Sequence, residues 1–162
     1  PSLRKMLAVF LDFRAQTRRR STGLLLKQAE ARDPIGKGLL ILIGISKDDT
    51  ETDAEWLANK VLNIRIFDDS KGIMNKSIVD IQGEILIISQ FTLMALTKKG
   101  NRPSYIRSAS HEIAIPLYDY FIKLLESKIK NGIKSGVFGA DMKVSLINDG
   151  PVTIIIDSKK KE

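Results

Sequence analysis

Apolar residues along this chain gather in short runs whose spacing changes from one stretch to the next, and those changes predict its elements. Residues 6–13, MLAVFLDF, and 39–45, LLILIGI, are apolar runs rich in branched or aromatic side chains. Both are expected to be strands, the second buried on both faces. Gly36 and Gly38 mark the turn before it. Residues 14–34 between them are basic, weakly periodic and close on Asp33-Pro34, a pattern that fits a strand pair, a helix or a loop.

Asp48, Asp49 and Thr50 offer capping side chains for a helix in which Ala54, Leu57, Ala58, Val61 and Leu62 recur at helical spacing, with Trp56 at its edge. Asp68-Asp69-Ser70-Lys71-Gly72 has turn chemistry. Gln82-Gly83 then precedes the strongest strand signal, residues 84–95, EILIISQFTLMA, expected to be one central strand. After the polar loop 97–110, Ile113, Leu117, Tyr120, Phe121, Leu124 and Leu125 predict an amphipathic helix running to about residue 130, with Pro116 tolerated in its first turns. Two further strands, 142–147 and 152–157, are expected to be joined by Asn148-Asp149-Gly150-Pro151-Val152-Thr153 as a tight turn, with Pro151 opening an edge strand. The order strands, helix, strands, helix, strands gives an α+β class: a single compact domain over residues 1–162, with a mixed, mostly antiparallel or barrel-like sheet and two main helices packed on it.

Composition narrows the picture. The chain has 162 residues, 43% of them hydrophobic, enough for one buried core. No apolar run is long enough to span a bilayer and no secretory h-region opens the chain, so it reads as soluble, unexported and cytoplasmic. The lack of cysteine excludes disulfides, thiolate nucleophiles and Cys-ligated zinc. Lys and Arg number 26 against 19 Asp and Glu, for a net charge of +7. That surplus suits a polyanionic partner such as nucleic acid, and it equally suits solubility alone. Basic residues cluster at Arg18, Arg19 and Arg20, at Lys98, Lys99 and Arg102, and at Lys159, Lys160 and Lys161. The last cluster, in residues 159–162, reads as a flexible, solvated end.

The usual catalytic equipment is missing. His111 is the sole histidine, and spacing assembles no Ser-His-carboxylate arrangement around it, which leaves it a structural or capping role. Metal-peptidase, P-loop and dinucleotide-binding motifs are absent, and neither a metal nor a cofactor is expected. What remains is Ser89, Gln90 and Thr92 interrupting an apolar strand. In a regular strand Ser89 and Phe91 share one face, Gln90 and Thr92 the other. Buried, such groups need partners, because an unsatisfied one costs about 1–3 kcal/mol. Either the strand emerges at the surface here or these residues build a site.

Ser89-Gln90-Phe91-Thr92-Leu93 together with Asn148-Asp149-Gly150-Pro151-Val152-Thr153 resembles the two signature motifs of the D-aminoacyl-tRNA (D-tyrosyl-tRNA) deacylases. IGKGLLILIGISKDDT, NIRIFDD, GIMNKSI, TKKGNRPS and GVFGADMKVSLINDGPVT extend the likeness from residue 35 to about 158. Residues 1–34 depart from the family pattern, lacking its Gln-Arg-Val strand and short V-x-V-D-G segment. The resemblance implies hydrolysis of the ester joining a D-amino acid, or glycine, to the 3′-terminal adenosine of tRNA, a proofreading of chirality that spares L-esters. It implies a homodimer whose active site lies at the subunit interface. It places the backbone N–H groups around Phe91 and Thr92 as oxyanion donors, with Ser89 and Gln90 orienting substrate. A cis Gly150-Pro151 pair, in a motif that includes Asn148, would reach from one subunit into the other's site. Phe138 and Met142 would contact the adenosine, and Lys98, Lys99 and Arg102 the acceptor stem. Two other readings use the same residues: a non-catalytic RNA-binding module that retains the fold, and an acyl-ester hydrolase indifferent to tRNA.

Overall fold

The computed structural model describes residues 7–13 and 35–161. Residues 14–34, with Arg18, Arg19 and Arg20, lie outside the described residues, as do Met6 and Glu162.

Strand β1 (Leu7–Phe13) pairs antiparallel with β2 (Gly38–Gly44), and β2 pairs parallel with β5 (Glu84–Ser89). Because successive side chains of a strand point to opposite faces, Leu39, Ile41 and Ile43 of β2 join Ile85 and Ile87 of β5 on one side. Leu40 joins Leu86 and Ile88 on the other. The first face is covered by helices α1 (Glu51–Asn63) and α2 (His111–Glu126), whose Ala54, Leu57, Ala58 and Val61, and Ala114, Leu117, Phe121 and Leu125, are all buried. A parallel pair needs a crossover, and the β2-to-β5 connection supplies α1 for it. Short β6 (Ile133–Ser135) pairs parallel with β5, and β7 (Asn148–Asp157) pairs antiparallel with β1, giving the order β6-β5-β2-β1-β7. The expected turn at residues 68–72 is the loop of a small hairpin, β3 (Phe67–Asp68) with β4 (Met74–Lys76). Asp69 Oδ1 accepts the Lys71 and Ile73 N–H groups there. The class is α+β with a mixed sheet and two main helices, as expected.

Three sequence expectations are corrected. The strand forecast over 84–95 ends at Ser89 and gives way to a 3-10 turn, Phe91–Met94, so the face assignments for Phe91 and Thr92 do not hold. Residues 142–147 form no strand. The Asn148–Thr153 motif is no hairpin turn but the beginning of β7 itself. The basic end has side-chain contacts of its own. Lys159 Nζ pairs with the Asp53 carboxylate, and Lys161 Nζ lies 4.9 Å from the centroid of the Trp56 ring.

That end docks on the start of α1. Thr50 caps the helix, and both its N–H and its hydroxyl donate to Asp53 Oδ2, at 3.0 and 2.9 Å. Burial opposes charge on Asp53, yet hydrogen bonds from Lys159 and Thr50 outweigh it and hold the carboxyl below its ordinary range. Asp49 is placed less comfortably. Its Oδ2 accepts the Ser46 N–H at 2.7 Å, but its buried Oδ1 has no hydrogen-bond partner among the described residues. Burial first, then the nearby Asp53 and Asp157 charges, push its pKa from 3.8 up to about 6, against the Ser46 bond and Lys159.

The folded protein therefore holds the Asp49 proton more tightly than the unfolded chain does. Its contribution to stability is present at low pH and is lost as pH rises from 3.8 through about 6. Asp49→Asn keeps an acceptor for Ser46 and removes the titration. Melting curves should show the variant more stable than the parent above pH 6, by roughly 1–3 kcal/mol, and the two alike near pH 3.5. A difference independent of pH would refute this account.

Candidate active site

The site is built where β5 runs out. The Gln90 N–H still donates to the Ile43 carbonyl at 2.7 Å, after which Gln90 leaves the strand region at φ −140°, ψ 81° and the 3-10 turn begins. Leu93 N–H closes that turn on the Gln90 carbonyl at 3.2 Å. A helical turn leaves its first N–H groups without internal acceptors. Those of Phe91 and Thr92 have none among the described residues. The turn lies against β2 at Gly44, where a Cβ would come within 3.0 Å of the Gln90 carbonyl oxygen and of Leu93 Cβ, and 2.8 Å of Met94 Cε. Glycine is what allows this close approach.

Beside the turn opens a cavity of about 430 Å³. Ile43, Ile45, Ile88 and Ala114 give it an apolar base, with Ser89, Gln90 and Phe91 along one side. Phe138, Gly139, Asp141 and Met142 line it, as do Ser108 and His111. The Phe138 ring stands edge-on between Tyr118, at 5.3 Å between centroids, and His111, at 5.8 Å. Tyr118 is itself anchored, its hydroxyl donating to the Ile87 carbonyl at 3.0 Å, and burial pushes its pKa well up, so it stays neutral. Ser89 Oγ accepts the Gly139 N–H at 3.3 Å, tying the end of β5 to the Phe138 segment. Gln90 Nε2 donates to Thr92 Oγ1. No hydrogen bond joins Ser89 to His111 among the described residues. Chemically the cavity offers an apolar seat with an aromatic ring and a thioether, bordered at Phe91 by the turn whose first N–H groups are unpaired, and no activated nucleophile among the described residues.

Five residues singled out by sequence, Ser89, Gln90, Phe91, Phe138 and Met142, line this one cavity. Thr92 does not line it, its hydroxyl being the acceptor for Gln90. Lys98 lines a second cavity, while Lys99 and Arg102 are exposed on the neighbouring loop. Asn148, Gly150 and Pro151 line neither cavity; they sit on edge strand β7. Phe13 of β1 faces Asn148 and Leu11 faces Thr153, so one residue of β1 stands opposite four of β7 and the chain bulges outward between them. Gly150, at φ 135°, and the cis peptide to Pro151 form the bulge, both exposed. The side-chain amide of Asn148 braces it: Oδ1 accepts the Val152 N–H at 3.2 Å and Nδ2 donates to Thr153 Oγ1 at 3.0 Å. Sequence reasoning missed His111 as a wall residue. Ser110 takes the capping position, and His111, next in line, lines the cavity. The one signal available was its place at the junction of a polar loop and a helix.

The family described as D-Tyr-tRNA(Tyr) deacylase matches residues 19–157, reaching back into the stretch that departs from the expected pattern. The D-aminoacyl-tRNA deacylase of Flavobacterium psychrophilum is 62% identical over 128 residues, 79% of this chain and 85% of that protein. That of Bacteroides thetaiotaomicron is 57% identical over 135 residues, 83% of this chain and 90% of its own. Among solved structures, the c-Myc DNA unwinding element binding protein superposes with a TM-score of 0.78 at 36% identity, covering 93% of this chain and 97% of its own. A probable eukaryotic D-amino acid tRNA deacylase gives 0.72 at 16% identity, covering 94% and 99%, a likeness of fold alone.

The contact at Gly44 can be tested directly. In an unconstrained strand position alanine is more stable than glycine. Here Gly44→Ala is expected to cost roughly 1–3 kcal/mol, as overpacked sites do, and to speed amide exchange across residues 90–96 as the turn is pushed off β2. Stabilisation, or exchange unchanged over those residues, would show that the turn does not depend on this contact.

Proposed function

The chain belongs to the D-Tyr-tRNA(Tyr) deacylase family, and from that premise we propose that it hydrolyses D-aminoacyl-tRNA, releasing the free D-amino acid and tRNA. The observation that carries this reading beyond the likeness is a cavity with aromatic, thioether and apolar lining beside a turn whose first N–H groups are unpaired, with no activated nucleophile among the described residues. Such a site suits a substrate that is already reactive. An aminoacyl ester beside a ribose 2′-hydroxyl is labile, so positioning and stabilisation of the developing oxyanion suffice.

In this reading, Phe138 and Met142 hold the terminal adenosine, and the N–H groups of Phe91 and Thr92 receive the negative charge that builds on the ester carbonyl oxygen. Water adds to that carbonyl carbon, the ester C–O bond breaks, and the ribose oxygen leaves with a proton. One such donor is worth about 10²–10³ in rate. Ser89 acts through its bond to Gly139, keeping the two sides of the cavity in register. Gln90 holds Thr92 and orients the ester, Lys99 and Arg102 meet acceptor-stem phosphates, and Lys98 meets phosphate of the same acceptor end.

Chirality is read by a second copy of the chain. Gly150 and Pro151 project from an exposed edge strand and do not reach the cavity of their own chain, which suits delivery into a partner's site. Exposed apolar Leu146, Ile147 and Ile155 on and beside that strand supply surface for the contact. The Gly150-Pro151 backbone meets the α-amino group and leaves no room for an L side chain, so rejection rather than grip selects the D form. Glycine, with no side chain, is accepted.

Single-turnover hydrolysis of D-tyrosyl-tRNA, glycyl-tRNA and L-tyrosyl-tRNA tests this. The D and glycyl esters are expected to be cleared and the L ester spared. Thr92→Ala keeps its backbone donor and should lose less than about tenfold, well under the loss of an oxyanion donor. Gly150→Ala should impair D-ester hydrolysis or relax the exclusion of the L ester, because the added Cβ sits 3.1 Å from Val152 Cγ2 at a φ that L residues avoid. Equal rates on D and L esters would sink the reading. So would unaltered behaviour of Gly150→Ala.

A further inference from the structure

A second cavity, of about 310 Å³, lies on the far side of the 3-10 turn, lined by Leu93 to Leu96, Thr97, Lys98, Arg107 and Ser46. The two cavities are lined by near neighbours in the chain. Ile45 lines the first and Ser46 the second; Ser108 lines the first and Arg107 the second; Phe91 and Leu93 divide in the same way across the turn. Neighbouring Cα atoms are 3.8 Å apart, so at these crossings only one or two residues separate the spaces, within the reach of a single nucleotide.

The lining differs in kind from that of the first cavity. It holds two cations, Lys98 and Arg107, with the hydroxyls of Thr97 and Ser46, and no carboxylate. Neither Lys98 nor Arg107 pairs with a carboxylate among the described residues. Arg107 is half-buried rather than free on the surface. Its backbone is clipped in place: its carbonyl accepts the Lys47 N–H at 3.1 Å, and Ala109 N–H donates to the Ile45 carbonyl at 2.9 Å. Across the cavity, Leu96 and Ser104 exchange two backbone bonds at 2.8 and 3.0 Å. A guanidinium on a held backbone, sharing a cavity with a lysine and hydroxyls, is the chemistry that recognises a phosphate.

We propose that this second cavity binds the phosphodiester on the 5′ side of the terminal adenosine, with Arg107 and Lys98 on its oxygens and the apolar Leu93, Ala95 and Leu96 against the preceding nucleotide. The proposal rests on the deacylase reading of the first cavity. It makes Arg107 a substrate-binding residue that anchors the RNA one nucleotide from the ester, so that the 3-10 turn is held between adenosine on one side and phosphate on the other.

The test compares two small substrates with the full chain: D-tyrosyl adenosine, which has no phosphate, and the same ester on the dinucleotide cytidylyl-adenosine. The unaltered protein should favour the dinucleotide in kcat/KM by about tenfold or more, the worth of a charge-assisted contact. In Arg107→Gln that preference should collapse toward unity, and the salt dependence on the dinucleotide should lose about 0.7 in slope, one phosphate contact on a single strand. Lys98→Ala should move both in the same direction. No preference in the unaltered protein overturns the proposal, as does an equal fall on both substrates in Arg107→Gln, the mark of a merely structural role. If neither ester is cleaved, the deacylase reading fails on its own. Binding of unesterified cytidylyl-adenosine against adenosine then decides the site: tighter binding that Arg107→Gln abolishes upholds it, and equal binding overturns it.

Discussion

The hydrogen bond from Gln90 N–H to the Ile43 carbonyl, 2.7 Å long, is the last rung of the ladder between β2 and β5, and the rest of the site hangs from it. Up to that rung β5 is buried on both faces, and its backbone groups are satisfied by β2 on one side and β6 on the other. One residue further there is no rung, and a chain with unpaired backbone groups must turn or reach water. The sequence changes there from Ile-Ile to Ser-Gln, and the chain turns. Gly44, level with the turn, gives it a place to lie. Two amide donors are thereby left at the edge of an apolar cavity by the ending of a strand, not by any dedicated loop.

The opposite edge of the sheet solves a different problem. An exposed edge strand invites pairing, and natural edges are blunted by bulges and proline. In β7 the excursion at Gly150-Pro151 does this, lifting four residues away from β1, and Asn148 spends both ends of its side-chain amide holding the excursion in shape. The segment that breaks the edge is thus also rigid and projecting. Within one chain it touches neither cavity, and the proposed function gives it work only in a partner's.

Most of the fold was legible in the sequence because its strongest elements carry unmixed patterns. β2 reads as a doubly buried strand, α1 announces its cap at Thr50, and α2 repeats its apolar positions without a gap. The failures share a cause. Residues 84–95 look uniformly apolar apart from Glu84 at the start and three polar positions within, yet what ends β5 is where its neighbours' ladder stops, a tertiary fact that composition of the segment does not contain. Met142, Val144 and Leu146 alternate like strand residues, but no strand pairs with them among the described residues, and Val144 and Leu146 remain exposed. Short β6 holds only three residues, too few to show a period. Of the cavity-lining residues, Ser89 and Gln90 stand out in the sequence as polar interruptions of an apolar run, and Phe91, Phe138 and Met142 through the family likeness, whereas His111 and Arg107 carry no such signal, because each comes to its cavity through what the loop 97–110 folds against.

A site made of backbone has a consequence for what it can discriminate. Side chains grip through contacts that can be improved one atom at a time, so a site built on them tends to separate substrates by how well each is held. A peptide backbone at fixed φ and ψ offers no such gradation. It excludes what would overlap it and is indifferent to the rest. D- and L-amino acids carry the same atoms and differ only in which direction the side chain leaves the α-carbon. Contacts to the side chain itself would therefore tie the enzyme to one amino acid, while exclusion at the α-carbon reads handedness for all of them. Under the proposed function the exclusion falls to Gly150, at a φ reserved for residues without Cβ and braced by Asn148. The apolar, aromatic cavity would then seat a part of the substrate common to every tRNA. The same logic predicts that glycine is accepted, since it has no side chain in either direction and so meets no barrier that backbone geometry could raise.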